Sequence, residues 1–108
     1  MIVVTTDNVP GHEISEVLGI VIGNTVRSKH MGRDIAAAFK TLAGGEIKGY
    51  TEMLTESRNI AIQRMVDEAE KMNADAIVAF RLGSSSVMSG AAEMLAYGTA
   101  VKLKKEEL

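Results

Sequence analysis

Hydrophobic residues recur with helical spacing from Tyr50 to Met72, and this pattern predicts one long amphipathic helix. On a wheel of about 100° per residue, the apolar positions form an arc wider than a single packing partner requires. Two charged residues, Arg58 and Glu68, fall on or beside that arc. They lie about three turns apart at a rise of ~1.5 Å per residue, so each is expected to need its own partner from elsewhere.

Alternating hydrophobic and polar positions predict strands on both sides of this helix. The predicted strands are residues 2–5, 13–27, 76–82 and 93–103, and a polar hairpin loop from Gly83 to Gly90 joins the last two. A short helix is predicted from Ile35 to Ala43, between an N-cap at Asp34 and a terminating glycine. The order of elements predicts one α+β domain over residues 1–108, in which a small antiparallel sheet carries both helices on one face.

The face of the predicted sheet that the helices leave uncovered is apolar. An antiparallel sheet with one face in water normally carries polar residues on that face. Here small and aliphatic residues are expected there: Val17, Val21, Ala96, Gly98 and Ala100. Such a face requires cover from another subunit, so the pattern predicts a homo-oligomer.

Composition excludes several classes of function. The chain has no cysteine, which removes disulfides, thiolate catalysis and cysteine-based metal sites. A net charge of −2 argues against a general nucleic-acid-binding protein. No apolar run approaches the ~18 residues of a membrane-spanning helix, no signal peptide begins the sequence, and no nucleotide-binding loop is present. We therefore expect a cytoplasmic protein without nucleic-acid partner, membrane partner or cofactor.

Candidate metal and anion sites are few. His12 and His30 stand apart without the three or four ligands that a transition-metal site needs, so no metal ligand is predicted. A soft copper(I) site at His30 and Met31, with Met88 or Met94 as a further ligand, is one alternative. Another is an anion site near the start of the short helix, formed by basic residues: Arg27, Lys29, Arg33 and Arg58.

Acid–base chemistry would depend on Glu68, the one carboxylate that the wheel places near the apolar face of the long helix. Tyr50 begins the same face, and Arg58 could hold an anionic substrate. The competing interpretation is a structural network of ion pairs and hydrogen bonds that fixes the helix to its neighbours. We predict no catalytic residue and take Glu68 as a residue of a binding site.

Several short motifs at fixed spacing resemble the YbjQ-like family of small bacterial and archaeal proteins, from about Glu13 to Lys102. They are Leu18-Gly19-x-Val21-x-Gly23, Arg33-Asp34, Gly44-Gly45, Tyr50, Arg58, Glu68-Ala69, Ala74-Asp75-Ala76-Ile77-Val78 and Gly98-Thr99-Ala100-Val101-Lys102. The resemblance implies a small α+β subunit, similar to that of dodecin, assembled as a homopentameric ring. The family carries a heavy-metal-binding label and no established activity.

One departure from the family pattern has a structural explanation. Asn73 stands where relatives have glycine before Ala-Asp, and asparagine tolerates the same left-handed conformation at a helix end. The expected protein is thus a non-enzymatic, cytoplasmic homopentamer that binds a small anionic ligand or a partner where subunits meet. The candidate ligand-binding residues are Arg33, Tyr50, Arg58 and Glu68.

Overall fold

The computed structural model of the protein describes residues 1–27, 48–88 and 91–105. In chain order these form β1 (Ile2–Val3), β2 (Ile14–Arg27), α1 (Lys48–Lys71), β3 (Ala76–Met88) and β4 (Ala91–Leu103). The strands make one four-stranded sheet in the order β1-β3-β4-β2, and α1 packs across β2 and β4. The α+β class and the long helix are confirmed. The short helix predicted over residues 35–43 lies outside the described residues.

The sheet is mixed, so the prediction of an antiparallel sheet was wrong for its first strand. β1 pairs in parallel with β3, with Ile2 opposite Ala76 and Val3 opposite Ile77. The other two ladders, β3 with β4 and β4 with β2, are antiparallel. A strand of two residues has no periodicity from which its partner or its direction could be inferred.

The predicted hairpin loop from Gly83 to Gly90 is mostly strand. β3 continues to Met88, and Ser84 and Ser85 pair with Met94 and Glu93 of β4. Glycine and serine have low strand propensity, but backbone pairing in an established ladder overrides that preference. The polar run therefore extends the sheet instead of ending it.

The main core lies between α1 and the sheet. A row of buried residues on α1, Ala61, Met65 and Ala69, packs against apolar residues of the three long strands: Val21, Ile77, Ala96 and Ala100. Small residues on the sheet allow the helix to approach closely. At Gly23, which is buried, a β-carbon would collide with the backbone of Ala61 and Met65.

The buried row of α1 recurs at every fourth residue from Ser57 to Ala69. At 3.6 residues per turn, each step of four advances about 40° beyond a full turn, so the row slants around the helix. A wheel that superimposes all turns hides this slant, and it wrongly placed Arg58 and Glu68 at the apolar face. Each is adjacent in sequence to one end of the row, about 100° away, and both are exposed.

The predicted assignment of sheet faces was inverted. Val21, Ala96, Gly98 and Ala100 are buried on the helix side, and only Val17 of the predicted set is exposed. The uncovered side instead presents Ile20, Ile22, Val26 and Tyr97, whose exposed fractions are 70%, 53%, 54% and 40%. A bulge between Val17 and Gly19, where Gly19 has φ of +133°, breaks the simple alternation along β2.

The side of the sheet that faces away from α1 is called the outer face. Within the described residues, other parts of the chain cover this face at one end only. There Val9 packs against Ala76, Val78 and Val101, with Val4, Ile14 and Leu103 at the margin. The N-terminal segment is held in place by backbone bonds, including Ala79 N to Thr6 O at 2.9 Å. Apolar residues therefore lie on both sides of the sheet, as the sequence predicted, although not at the predicted positions.

Candidate functional site

The C-terminal end of α1 is closed by two backbone hydrogen bonds and a left-handed residue. Asn73 has φ of 60°, and its N–H donates to Glu70 O at 3.0 Å while Ala74 N–H donates to Ala69 O at 3.1 Å. These are the two backbone bonds of a Schellman motif, which requires one left-handed residue. The prediction that Asn73 takes a left-handed conformation at this helix end is confirmed.

Asp75 and Lys102 lie next to this helix end and tie it to β4. Asp75 Oδ2 accepts a 2.8 Å hydrogen bond from Leu103 N, and Asp75 N donates to Val101 O at 2.9 Å. Lys102 Nζ donates to Asn73 O at 2.7 Å and lies 4.0 Å from Asp75 Oδ1. A lysine close to the last carbonyls of a helix also complements the helix dipole. The spacing of these motif residues thus has a structural explanation that needs no ligand.

Of the predicted site residues, the two whose side chains the structure describes, Arg58 and Glu68, do not lie together. Arg33 lies outside the described residues, and Tyr50 belongs to the first turn of α1. Arg58 and Glu68 are about 15 Å apart along the helix axis, at ~1.5 Å per residue. Any ligand that contacts both would have to span three turns of α1 or contact them from different subunits.

Arg58 and Glu68 differ in how they are paired. Glu68 Oε1 lies 3.1 Å from Lys71 Nζ on the same helix, and the two side chains are 50% and 73% exposed. The expectation that Glu68 needs a partner from another element was therefore wrong. Arg58 is exposed and makes no hydrogen bond or ion pair to any part of the chain that the structure describes.

Glu68 borders an open groove between β2 and the C-terminal half of α1, which we call the edge groove. Its volume is about 550 Å³. The lining residues come from both elements: Ile20, Val21, Ile22, Gly23, Asn24, Arg64, Asp67, Glu68, Lys71 and Met72. Among the described strands β2 is the outermost on this side of the sheet, so the groove opens along the edge of β2.

Asn24 links α1, β2 and β4 above this groove, and sequence reasoning did not identify it. Arg64 Nη1 donates to Asn24 O at 2.7 Å, and Asn24 Nδ2 donates to Glu93 Oε2 at 3.1 Å. The available signal was the position of Asn24, a polar amide within an otherwise apolar stretch of β2. Its partners could not be inferred because they depend on how α1 crosses the sheet.

These features define a small α+β protein with a mixed four-stranded sheet, one long helix on one face and an apolar outer face that is only partly covered. The chain belongs to the YbjQ family, whose model matches residues 1–104 and is described as "Putative heavy-metal-binding". The recognition made from the sequence motifs is confirmed. Within the described residues, no helix is long and apolar enough to cross a membrane.

The names of similar proteins give a family and do not specify an activity. A UPF0145 protein of Thermosipho africanus is 74% identical over 105 residues, which cover 97% of each chain. UPF0145 proteins of Thermotoga maritima and Clostridioides difficile are 71% and 62% identical, covering 97% and 98% of this chain and 99% and 95% of theirs. A crystal structure of a DUF74 family protein of unknown function from Pediococcus pentosaceus has a TM-score of 0.59 at 14% identity. That match covers 96% of this chain and 98% of the other, and it supports the fold.

The described residues do not fit the heavy-metal site that the family description implies. Soft metal ions prefer thiolate and thioether ligands; the chain has seven methionines but no cysteine, and the alternative pair His30 and Met31 lies outside the described residues. Across residues 1–27, 48–88 and 91–105, no three side chains of His, Cys, Asp or Glu come together as a possible metal site. We therefore derive no metal chemistry for this part of the chain.

Proposed function

We propose that the protein is a non-enzymatic, cytoplasmic homo-oligomer whose subunit interfaces bind a small anionic ligand or a partner. A pentameric ring is the assembly that the family resemblance implies. The single observation that carries the proposal is the uncovered half of the outer face, where Ile20 is 70% exposed and Ile22 is 53% exposed.

The exposed apolar area favours association of subunits. Side chains of Ile20, Ile22, Val26 and Tyr97 lie on one side of adjacent strands β2 and β4, so they form a continuous patch. Patches of several hundred Å² on a single chain mark interaction surfaces, since burying apolar area contributes roughly 25 cal/mol per Å². Val9 already covers the other half of this face, which leaves the free half as the area that a partner would bury.

Arg58 is the strongest of the candidate ligand residues. It is exposed near the middle of α1 and has no partner within the described residues, so its guanidinium is available to an anion. Arginine presents a planar set of donors that matches carboxylate and phosphate groups. Arg33 and Tyr50 are candidate ligand residues because they belong to the family motifs. Glu68 is a candidate because it lines the edge groove beside β2.

Sedimentation velocity of the whole chain at micromolar concentration tests the assembly. We expect a species several times heavier than the 11.6 kDa chain, and we expect Ile22→Lys to reduce that mass while circular dichroism stays unchanged. Glu16→Lys is the matched control, because Glu16 is exposed on the same strand and its replacement leaves the apolar patch intact. A wild-type protein that sediments as a single chain would refute the homo-oligomer.

Calorimetric titration with inorganic phosphate and with citrate tests the anion site. We expect Arg58→Ala to abolish binding while sedimentation still shows the assembled species, and Arg58→Lys to weaken it by about tenfold through loss of the guanidinium geometry. Lys71→Ala serves as a control, because it removes one exposed positive charge from the same helix. Loss of the oligomer in Arg58→Ala would reassign this residue to structure.

A further inference from the structure

We propose that Arg81 and Tyr97 form a binding site for a small aromatic carboxylate on the outer face of the sheet. This inference rests on the proposed function, in which subunit interfaces bind a small anionic ligand, and it names both a chemical class for that ligand and a site outside the family motifs. The site lies in the apolar patch that the proposed homo-oligomer would bury. It depends on the position of Arg81 beside an exposed aromatic ring and on the free donors of its guanidinium.

Arg81, Tyr97 and Ile22 form one row across the three long strands. Arg81 of β3 and Ile22 of β2 both lie opposite Tyr97 of β4. Directly opposed residues of antiparallel strands project from the same face, with their β-carbons about 4.5–5.5 Å apart. All three side chains are exposed, those of Tyr97 and Ile22 by 40% and 53%. The outer face therefore presents a cation, an aromatic ring and an aliphatic side chain next to one another.

The guanidinium of Arg81 is held in place by the backbone. Its Nη1 donates to Thr5 O at 2.9 Å and to Phe80 O at 2.8 Å, which uses both Nη1 hydrogens. Its Nε and Nη2 make no hydrogen bond to any residue that the structure describes. These two nitrogens share one edge of the guanidinium, the geometry that binds both oxygens of a carboxylate. Because the side chain is already fixed, binding would cost little of its conformational entropy.

The charges on this part of the outer face favour a ligand with one negative charge. The rows on either side of Arg81, Tyr97 and Ile22 are uncharged: Val78, Thr99 and Ile20 in one, Gly83, Leu95 and Asn24 in the other. Glu93, the one carboxylate of β4, lies about 13 Å along the strand from Tyr97 and accepts from Asn24 Nδ2 at 3.1 Å. Within the described residues, no carboxylate pairs with Arg81. One positive charge among apolar side chains thus lacks a counter-charge.

The dimensions of the row select the size of the ligand. Neighbouring strands lie about 4.8 Å apart, so the row from Arg81 to Ile22 spans about 10 Å. A carboxylate joined to one or two aromatic rings has a similar length. Its oxygens would pair with the guanidinium while its ring packs against Tyr97, where an offset or edge-to-face contact is favourable. Inorganic anions would leave the apolar part of the row uncovered, so the geometry favours an aromatic carboxylate.

Titration of the full chain with naphthoate tests this site. Calorimetry measures the dissociation constant, and nuclear magnetic resonance locates the ligand through the shifts of backbone amides. We expect saturable binding, with the largest shifts at Arg81, Tyr97 and Ile22. Acetate, which has the charge without the ring, and naphthalenemethanol, which has the ring without the charge, should each bind at least about tenfold more weakly.

Variants of the two central residues should weaken the binding of naphthoate. We expect Arg81→Gln to raise the dissociation constant about tenfold, because it removes a charge-assisted pair of hydrogen bonds. Tyr97→Leu should raise it about threefold, because it retains apolar area and loses the contact between rings. Arg64→Gln is the matched control and should leave the constant unchanged. Arg64 is also an exposed arginine with its Nη1 bonded to a backbone carbonyl, Asn24 O at 2.7 Å, but it belongs to α1.

Arg81 also holds the N-terminal segment, and Val9→Ala separates this structural role from ligand binding. That change loosens the packing of the segment on Val78 and Val101 but retains every donor of Arg81. We expect the dissociation constant for naphthoate to stay within about twofold of the wild-type value. An equal loss of affinity in Val9→Ala and Arg81→Gln would show that Arg81 acts only through the segment and would refute the site. Should Arg81→Gln fold poorly, Arg81→Lys keeps the charge without the paired donors, and unchanged affinity there refutes the bidentate contact.

Other outcomes separate this site from the proposed function. Binding of naphthoate that is lost in Arg58→Ala and kept in Arg81→Gln would refute the site and place the ligand at Arg58. An oligomer that does not bind naphthoate would refute the site and leave the proposed homo-oligomer standing. A single chain in sedimentation that binds naphthoate through Arg81 would refute the homo-oligomer and support the site. Equal affinity for naphthalenemethanol and naphthoate would refute the role of Arg81 and leave only a nonspecific apolar contact.

Discussion

Gly23 of β2 lies so close to the backbone of α1 at Met65 that no β-carbon fits between them. The added carbon would also collide with Ala61 O, and backbone atoms cannot move aside as the end of a flexible side chain can. This contact sets the distance between the helix and the sheet. It also explains why the residues around it, Val21, Ala96 and Ala100, are small or branched and fully packed.

We expect Gly23→Ala to destabilise the protein by about 3 kcal/mol, because the helix must shift away from the sheet and the core must loosen. The free energy of unfolding in guanidinium, compared at equal protein concentration, measures the effect. Gly83→Ala is the matched control, since a β-carbon at that strand glycine meets nothing within 4 Å. Equal stability of the two variants would show that the close approach of α1 to β2 is absent.

Thr25 is buried with its hydroxyl unpartnered within the described structure, and it is 5% exposed. An unsatisfied buried hydroxyl costs about 1–3 kcal/mol, so Thr25→Val should raise the free energy of unfolding by about 1 kcal/mol. Thr25→Ser retains the hydroxyl and removes a methyl group, so it should be destabilising. Thermal and chemical denaturation of the three proteins measure this order, and a less stable valine variant would indicate a hidden partner for the hydroxyl.

Ala79 has φ of 53°, a left-handed conformation, at the irregularity between Val78 and Arg81 of β3. A residue with a β-carbon pays about 1–2 kcal/mol for this conformation, whereas asparagine tolerates it better. We therefore expect Ala79→Gly to stabilise the protein by about 1 kcal/mol and Asn73→Gly to change stability little. Chemical denaturation distinguishes them, and a destabilised Ala79→Gly would argue against strain at this bulge.

Asp75 connects the end of α1 to β4 through its bond to Leu103 N at 2.8 Å. Asp75→Ala should lower the free energy of unfolding by about 1 kcal/mol, the usual net contribution of one hydrogen bond. Asp75→Asn should lose less, because the amide oxygen still accepts from Leu103 N. Since Lys102 is 4.0 Å from Asp75 and both side chains are partly exposed, the ion pair adds little, and the difference should be nearly independent of salt.

The sequence predicted those features that depend on local patterns. The long helix, the extent of β2 and the left-handed turn at Asn73 follow from spacing and from the conformational preference of single residues. The family motifs supplied the recognition, and Asp75 and Lys102 show why part of that pattern exists, since they join the helix end to β4. A need for cover on the second sheet face was also inferred from the pattern of apolar positions along the strands.

The features that the sequence did not predict depend on geometry between distant elements. The faces of β2 were exchanged because a helix packs closest against Gly23 and alanine, and because the bulge near Gly19 breaks the alternation. Arg58 and Glu68 were placed at the apolar face because a wheel cannot show that the buried row slants around α1. For the same reason, the contact between Arg64 and Asn24 had no local signal.

The parallel pairing of β1 with β3 has a consequence for the order in which the chain folds. Ile2 pairs with Ala76, and most of the chain lies between them. Because closing such a long loop costs conformational entropy, we expect this pairing to form late in folding. Val9 can then settle on Val78 and Val101 only after those strands exist. The residues of β1 are synthesised before their partners in β3 and are thus among the last to reach their native positions, and until they do, both ends of the outer face are open to misassociation.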